Sequence, residues 1–261
     1  MTMARTLPSR EDTALEFRCA CLRPYVQFLE NTYGADKARE IIAGTNMPPD
    51  YLTNPDNWVS YGYVCRLLKT LVNVTHDKMA PFEAARLYST RASFKTLGLF
   101  LLHLGSPRTM YKLIVQFNHL WNKISEWRLV SMNRSKCVIS VRYPRHKQDR
   151  NNCLALQGSL AAVPHQFGLP HARINHSKCA CDGADACVYE IRWTNAPDRL
   201  WGWRLGLAGV ATGLLAGFLP GWAPHLSLVV AAFGLAGYFA GRIIDYQARL
   251  KTMYSRIEEQ A

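Results

Sequence analysis

Within twelve residues the chain carries His176-x2-Cys179-x-Cys181-x5-Cys187. Imidazole nitrogen and thiolate sulfur are the ligands zinc takes in four-coordinate tetrahedral sites. Cys179 and Cys181 would share a face if that stretch is extended, because side chains two apart in a strand point the same way. Cys-x-Cys is a less usual ligand spacing than Cys-x2-Cys, however. Cys153, expected near the start of the preceding helix, is the alternative fourth ligand, so that place stays open between Cys153 and Cys181. Two other readings compete with metal: small buried core thiols, and a redox pair of Cys179 and Cys181. Residues Met1 to Asp12 are polar and charged, without the apolar stretch of a signal peptide. The eight cysteines are therefore expected to be reduced and not bridged.

These side chains need elements to position them. Residues 173–178 and 186–193 read as two strands around the Asp182-Gly183-Ala184-Asp185 turn, and 154–167 as a helix before them. Trp127, Leu129 and Ser131, then Cys137, Ile139, Val141 and Tyr143, alternate with period two on either side of Asn133-Arg134-Ser135, a β-hairpin pattern. Upstream the period is helical. Leu15, Cys19, Leu22, Val26 and Leu29 predict one helix over 13–33, and a short helix follows over 35–43. Ser60 caps a third, 81–92 and 96–104 read as two more, and Ser106-Pro107 opens another. The expected class is α+β, a helix-rich half packed on a small antiparallel sheet. The expected divisions are a flexible N-terminus over 1–12, a domain over 13–194, a helical hairpin over 200–241 and a coil over 242–261.

The hairpin is expected to cross a membrane. No Lys, Arg, Asp or Glu occurs among the 37 positions from Leu205 to Gly241. One span needs about 20 residues, so the stretch is long for a single helix, and Pro220-Gly221-Trp222-Ala223-Pro224 divides it. Gly209, Gly213 and Gly217, and on the other arm Gly237 and Gly241, fall four apart, the spacing at which two helices approach closely in lipid. Basic residues flank both outer ends, so the positive-inside rule places both ends in the cytoplasm. Ile243, Tyr246, Leu250, Met253 and Ile257 then step by 3, 4, 3 and 4, a heptad seam suited to a homodimer.

Several motifs resemble a known family. Gly158, Pro164, Phe167-Gly168-Leu169-Pro170, Cys179, Gly183, Asp185, Cys187-Val188-Tyr189 and Trp193 are similar to the C-terminal half of vinyl-reductase-type sensor domains, which share a fold with haem–nitric-oxide-binding domains and Bet3-type trafficking subunits. Asp50-Tyr51-Leu52, Asn54-Pro55-Asp56-Asn57-Trp58, Leu97-Gly98 and Leu104-Gly105-Ser106-Pro107 resemble the bacterial branch found before cyclase and kinase modules. The resemblance spans roughly 13–194. It implies a NO-signalling/Bet3-like fold and a structural zinc held by Cys153, Cys179 and Cys187, with His176 where phenol-sensing members have an acidic ligand. That favours Cys153 over Cys181. It also implies an apolar pocket, for which Phe100, His103, Trp121 and Trp127 are candidates. Haem is not expected: relatives hold it with Tyr-x-Ser-x-Arg, whereas Tyr88-Ser89-Thr90-Arg91 has the wrong spacing and lies in the helical half.

No G-x-S-x-G, phosphate-binding loop or paired-carboxylate motif is present, so an enzyme is not expected. Of the net charge of +12, about +10 falls before residue 195, which would hold the domain near anionic lipid; no motif for nucleic acid accompanies it. The expectation is a sensor for a hydrophobic or aromatic small molecule, anchored in a bacterial inner membrane with its domain and C-terminus cytoplasmic. It would relay to a kinase, cyclase or regulator on another chain or segment. The alternative is a non-catalytic lipid-binding or protein-interaction module.

Overall fold

The computed structural model describes residues 12–88, 106–194, 200–216 and 226–258. Contacts divide the chain into two compact units, Met1–Thr194 and Asn195–Ala261.

In the first unit the expected helix over 13–33 is replaced in its first half. Phe17–Arg18 (β1) pairs antiparallel with Trp58–Val59 (β2), Cys19–Cys21 form one 3-10 turn, and the helix runs only over Arg23–Tyr33 (α1). Pro24 explains this. Proline has no N–H to give and is tolerated only in a helix's first turn, so the apolar spacing upstream of it belongs to another element. Ala35–Ala43 (α2), Pro49–Thr53 (α3), Tyr61–Thr75 (α4) and Ala80–Tyr88 (α5) follow. Ser60 Oγ caps α4 by accepting from the Tyr63 N–H at 3.0 Å. These elements bury Leu22, Leu29, Ile42, Leu67, Leu68 and Leu71 in one core. The helix expected over 96–104 lies outside the described residues.

Pro107–Phe117 (α6) starts where Ser106-Pro107 predicts it, with Ser106 Oγ accepting from the Thr109 N–H. Then come Glu126–Met132 (β3), Lys136–Arg142 (β4), Arg150–Ala162 (α7), Arg173–Lys178 (β5) and Cys187–Arg192 (β6). The antiparallel sheet has the order β3-β4-β6-β5. Its inner face is Cys137, Ile139, Val141, Cys187, Tyr189 and Ile191, all fully buried, with α6 against β3 and β4 and α7 against β5 and β6. Helix α7 stops at Ala162 because Pro164 cannot continue the ladder; a 3-10 turn over Val163–Phe167 closes on Gly168 at φ +71°. The class is a helix-rich α+β fold with small antiparallel sheets.

The second unit is a helix pair, Leu200–Ala216 (α8) and Leu226–Glu258 (α9). Among the described residues one segment, Leu228–Asp245 at mean hydropathy 1.5, is long and apolar enough to cross a membrane; Arg204–Leu215 on α8 is a shorter apolar stretch. The two-span hairpin expected from the sequence is thus matched by one such helix, and its Trp222 turn lies outside the described residues. The two helices do pack along their glycines. A Cβ on Gly209 would sit 2.1 Å from the Phe233 carbonyl oxygen, and one on Gly237 would sit 2.1 Å from that of Leu205. Gly209→Val is therefore expected to separate the helices at a cost of about 1–3 kcal/mol. Circular-dichroism melting of the full chain in detergent checks this; an unchanged melt would contradict the seam.

Candidate metal centre and apolar cavity

Helix α7 brings the first ligand. Asp149 Oδ1 accepts from the N–H groups of Asn151 and Asn152, fixing the first turn, and Cys153 follows with its N–H on the Asp149 carbonyl at 3.0 Å. Strand β5 brings His176, whose ring stacks on Tyr189 of β6 at 4.5 Å. Cys179 follows a β5 irregularity between His176 and Lys178, and Cys187 opens β6; between them a 3-10 turn over Ala180–Asp182 ends on Gly183 at φ +94°. That left-handed position suits glycine, and it folds the segment so that both sulfurs reach one point.

The four ligand atoms of Cys153, His176, Cys179 and Cys187 all lie within 4.8 Å of one another. Cys153 Sγ is 3.9 Å from Cys179 Sγ and 3.7 Å from His176 Nδ1. Tetrahedral zinc with Zn–S bonds of about 2.3 Å separates its sulfurs by about 3.8 Å. The spacing therefore fits such an ion. All three cysteines are buried and the histidine is half-buried. Cys181 is not in this group: its thiol is directed at the Gln148 carbonyl oxygen at 3.4 Å.

The electrostatics of the group are unequal. The thiol of Cys153 donates toward Cys187, which keeps the proton on Cys153 and pushes its pKa up, with burial adding to the rise. The same hydrogen bond, joined by the Ala180 N–H at 3.3 Å, holds Cys187 well below the usual thiol range. Arg150, in the first turn of α7, places Nη1 3.8 Å from Cys179 Sγ while its guanidinium pairs with Asp182. Three thiolates around a divalent ion leave one negative charge, and Arg150 is the cation beside it. Arg150 and Asp182 are supporting residues that ligand spacing did not reveal; the Asp182 turn was legible, its salt partner was not.

The other face of α7 walls a cavity of about 210 Å3. Trp121 and Trp127 line it; Phe100 and His103 lie outside the described residues. Sequence reasoning missed the rest of the polar lining, notably Tyr25, Tyr143, Asn118, Asn152 and Ser159. Asn118 donates to the carbonyls of Asn122 and Ser125. Among the described lining residues none is charged. Burial pushes the Cys21 thiol up to about 12 and raises the Tyr25 and Tyr143 phenols, so these groups meet a ligand in their neutral forms.

No family model matches the chain, and no curated protein does. Solved structures do. An H-NOX protein from S. oneidensis in the Fe(II)NO ligation state aligns with a TM-score of 0.52 at 13% identity, covering 68% of this chain and 99% of that one. The Fe(II) unliganded H-NOX protein from K. algicida aligns at 0.50 and 14%, covering 68% and 97%. The fold is the haem–NO-binding, or H-NOX, fold.

That finding overturns the expectation against haem. The expectation rested on the spacing and place of one short motif, and at 13% identity the fold is alike where few residues are, so a missing motif weighs little. The described lining offers a macrocycle apolar and aromatic walls. Haem iron is held by histidine, thiolate, thioether or tyrosine; here the described candidates are Cys21, Tyr25 and Tyr143, all kept protonated by burial. Those residues fit an apolar guest, and His103 lies outside the described residues.

Proposed function

We propose that this chain is a membrane-anchored small-molecule sensor in which a structural zinc, held by Cys153, His176, Cys179 and Cys187, fixes one wall of a ligand cavity. The observation that carries the reading is the double role of α7: Cys153 on one face belongs to the four-atom group, and Asn152, Ala155, Leu156 and Ser159 line the cavity. Four protein ligands leave no open position for water, so the ion ties helix to hairpin and does no chemistry. A lining without charge selects a neutral molecule, apolar or aromatic, with one or two hydrogen-bonding groups.

The apolar segment Leu228–Asp245 supports anchoring in a bilayer; with the shorter apolar stretch Arg204–Leu215 as the second arm of a hairpin, the sensor and the C-terminus both lie on the cytoplasmic side. Helix α9 is 33 residues, about 50 Å long. Its heptad positions from Ile243 to Ile257 pair with a second copy and pass the cavity's state to a signalling partner.

The test is the guest itself. Full chain purified in mild detergent is extracted and analysed by mass spectrometry, and its absorption is scanned for a Soret band. A stoichiometric neutral molecule supports the reading. Leu156→Trp, which fills the cavity, is expected to lower its occupancy at least tenfold. A Soret band that survives Leu156→Trp would move the ligand away from this cavity, and a guest-free protein with unchanged melting on adding aromatic ligands would sink the sensor reading.

A further inference from the structure

The outer face of the four-stranded sheet has a charge pattern that the fold does not need. Register places Arg128 on β3, Lys136 and Arg142 on β4, Arg192 on β6, and Arg173 and Lys178 on β5 on that face, against the carboxylates of Glu126 and Glu190. Lys136, Arg192 and Arg173 stand directly opposite one another in a single cross-strand row. Like charges in that relation repel. Glu190 offsets two of them, at 3.0 Å from Lys136 Nζ and 2.6 Å from an Arg192 guanidinium nitrogen. Lys136 and then Arg192 hold the Glu190 carboxyl below the usual carboxylate range. Arg173 is exposed and has no carboxylate partner among the described residues. Within this unit α6 and α7 cover the opposite face.

We infer that this sheet face docks on anionic lipid headgroups, with the Lys136–Arg192–Arg173 row as its centre. The inference rests on the anchoring proposed above. Two features favour lipid over another anion. The row is at the end of β6, whose last residue, Arg192, precedes the apolar α8 by only eight positions in sequence. The face is also a shallow sheet surface with half-buried Val138 and Val188 between the cations, suited to a plane of headgroups more than to a groove-reading contact. Attraction of this kind is felt within about 8–10 Å of the surface and fades with salt.

Lysine footprinting on the full chain in lipid nanodiscs tests it. Acetylation rates of Lys136 and Lys178 are compared by mass spectrometry in phosphatidylcholine and phosphatidylglycerol discs, with Lys37 on α2 as reference. The expected result is roughly fivefold slower modification of both lysines in the anionic discs, reversed by high salt and weakened in the Arg173→Gln, Arg192→Gln double variant, while Lys37 is unchanged. Equal rates in the two lipids overturn the inference. So does protection of the same lysines by duplex DNA, or by an acidic peptide, without protection by lipid. A chain that stays in the aqueous fraction overturns the anchoring itself; phosphatidylglycerol vesicles then test the face alone, and unprotected lysines overturn it as well.

Discussion

The wild type is expected to hold one metal ion per molecule and Cys153→Ser none, and Cys179→Ser and Cys187→Ser are expected to behave like Cys153→Ser. The three sulfurs and the His176 nitrogen converge within 4.8 Å from one helix and the hairpin after it, so removing one leaves an incomplete shell. Because a structural ion binds the folded form and not the unfolded one, its binding energy is folding energy. A loss on the order of 4 kcal/mol lowers Tm by about 8–16 °C in a domain of this size. Cys181→Ser, whose thiol lies outside the four-ligand group and is directed at the Gln148 carbonyl, is expected to keep both metal and Tm within a degree or two. Elemental analysis with thermal melting reads both quantities. A chelator separates ligand loss from simple damage to a buried thiol: it should lower the wild type to the Cys153→Ser value and leave that variant unmoved. Loss of metal in Cys181→Ser with retention in Cys153→Ser would overturn the ligand set.

The legibility of this site in the sequence was uneven for physical reasons. Cys179 and Cys187 announce themselves because ligands on one turn are close in sequence, and Gly183 marks the turn that joins them. Cys153 is 26 residues from Cys179, and a period-based reading sees only a thiol at a helix start; the family resemblance, not spacing, put it in the set. The cavity was less legible still. Asn118, Asn152 and Tyr143 come from three elements whose juxtaposition is a tertiary fact, and a buried asparagine looks in sequence like any turn residue. Among the elements, capped helices were the clearest, since Ser60 and Ser106 carry their signal locally. The stretch before Pro24 was misread because a strand of two residues, Phe17–Arg18, is too short to show a period of two. The expectation against haem failed differently: it leaned on one short motif, whereas the likeness to H-NOX structures is one of overall fold.

Gly158→Val is expected to be the most damaging single substitution in the first unit that removes no ligand. Gly158 sits in α7, where a Cβ would lie 2.2 Å from the Phe82 carbonyl oxygen and 3.0 Å from the Ala85 methyl. The obstructing oxygen is backbone, so no rotamer change relieves the overlap, and α5 and α7 must part. Overpacking in a core costs about 1–3 kcal/mol and more when backbone must move; separating two buried helices belongs at the upper end, a fall in Tm of about 6–12 °C. The same displacement carries Cys153, five residues earlier, and Ser159, one residue later, away from their partners on β5 and α1. Ligand occupancy of the cavity should therefore fall together with stability. The metal should fall as well, because the displacement withdraws Cys153 from the shell that Cys153→Ser also breaks. Gly158→Ala, with one methyl at the same clash, should show the smaller form of both effects. Melting, metal content and ligand content of the two variants check the order. A Gly158→Val protein as stable as wild type would mean that α5 and α7 do not touch at this glycine, and the shared wall of metal centre and cavity would lose its rigid backing.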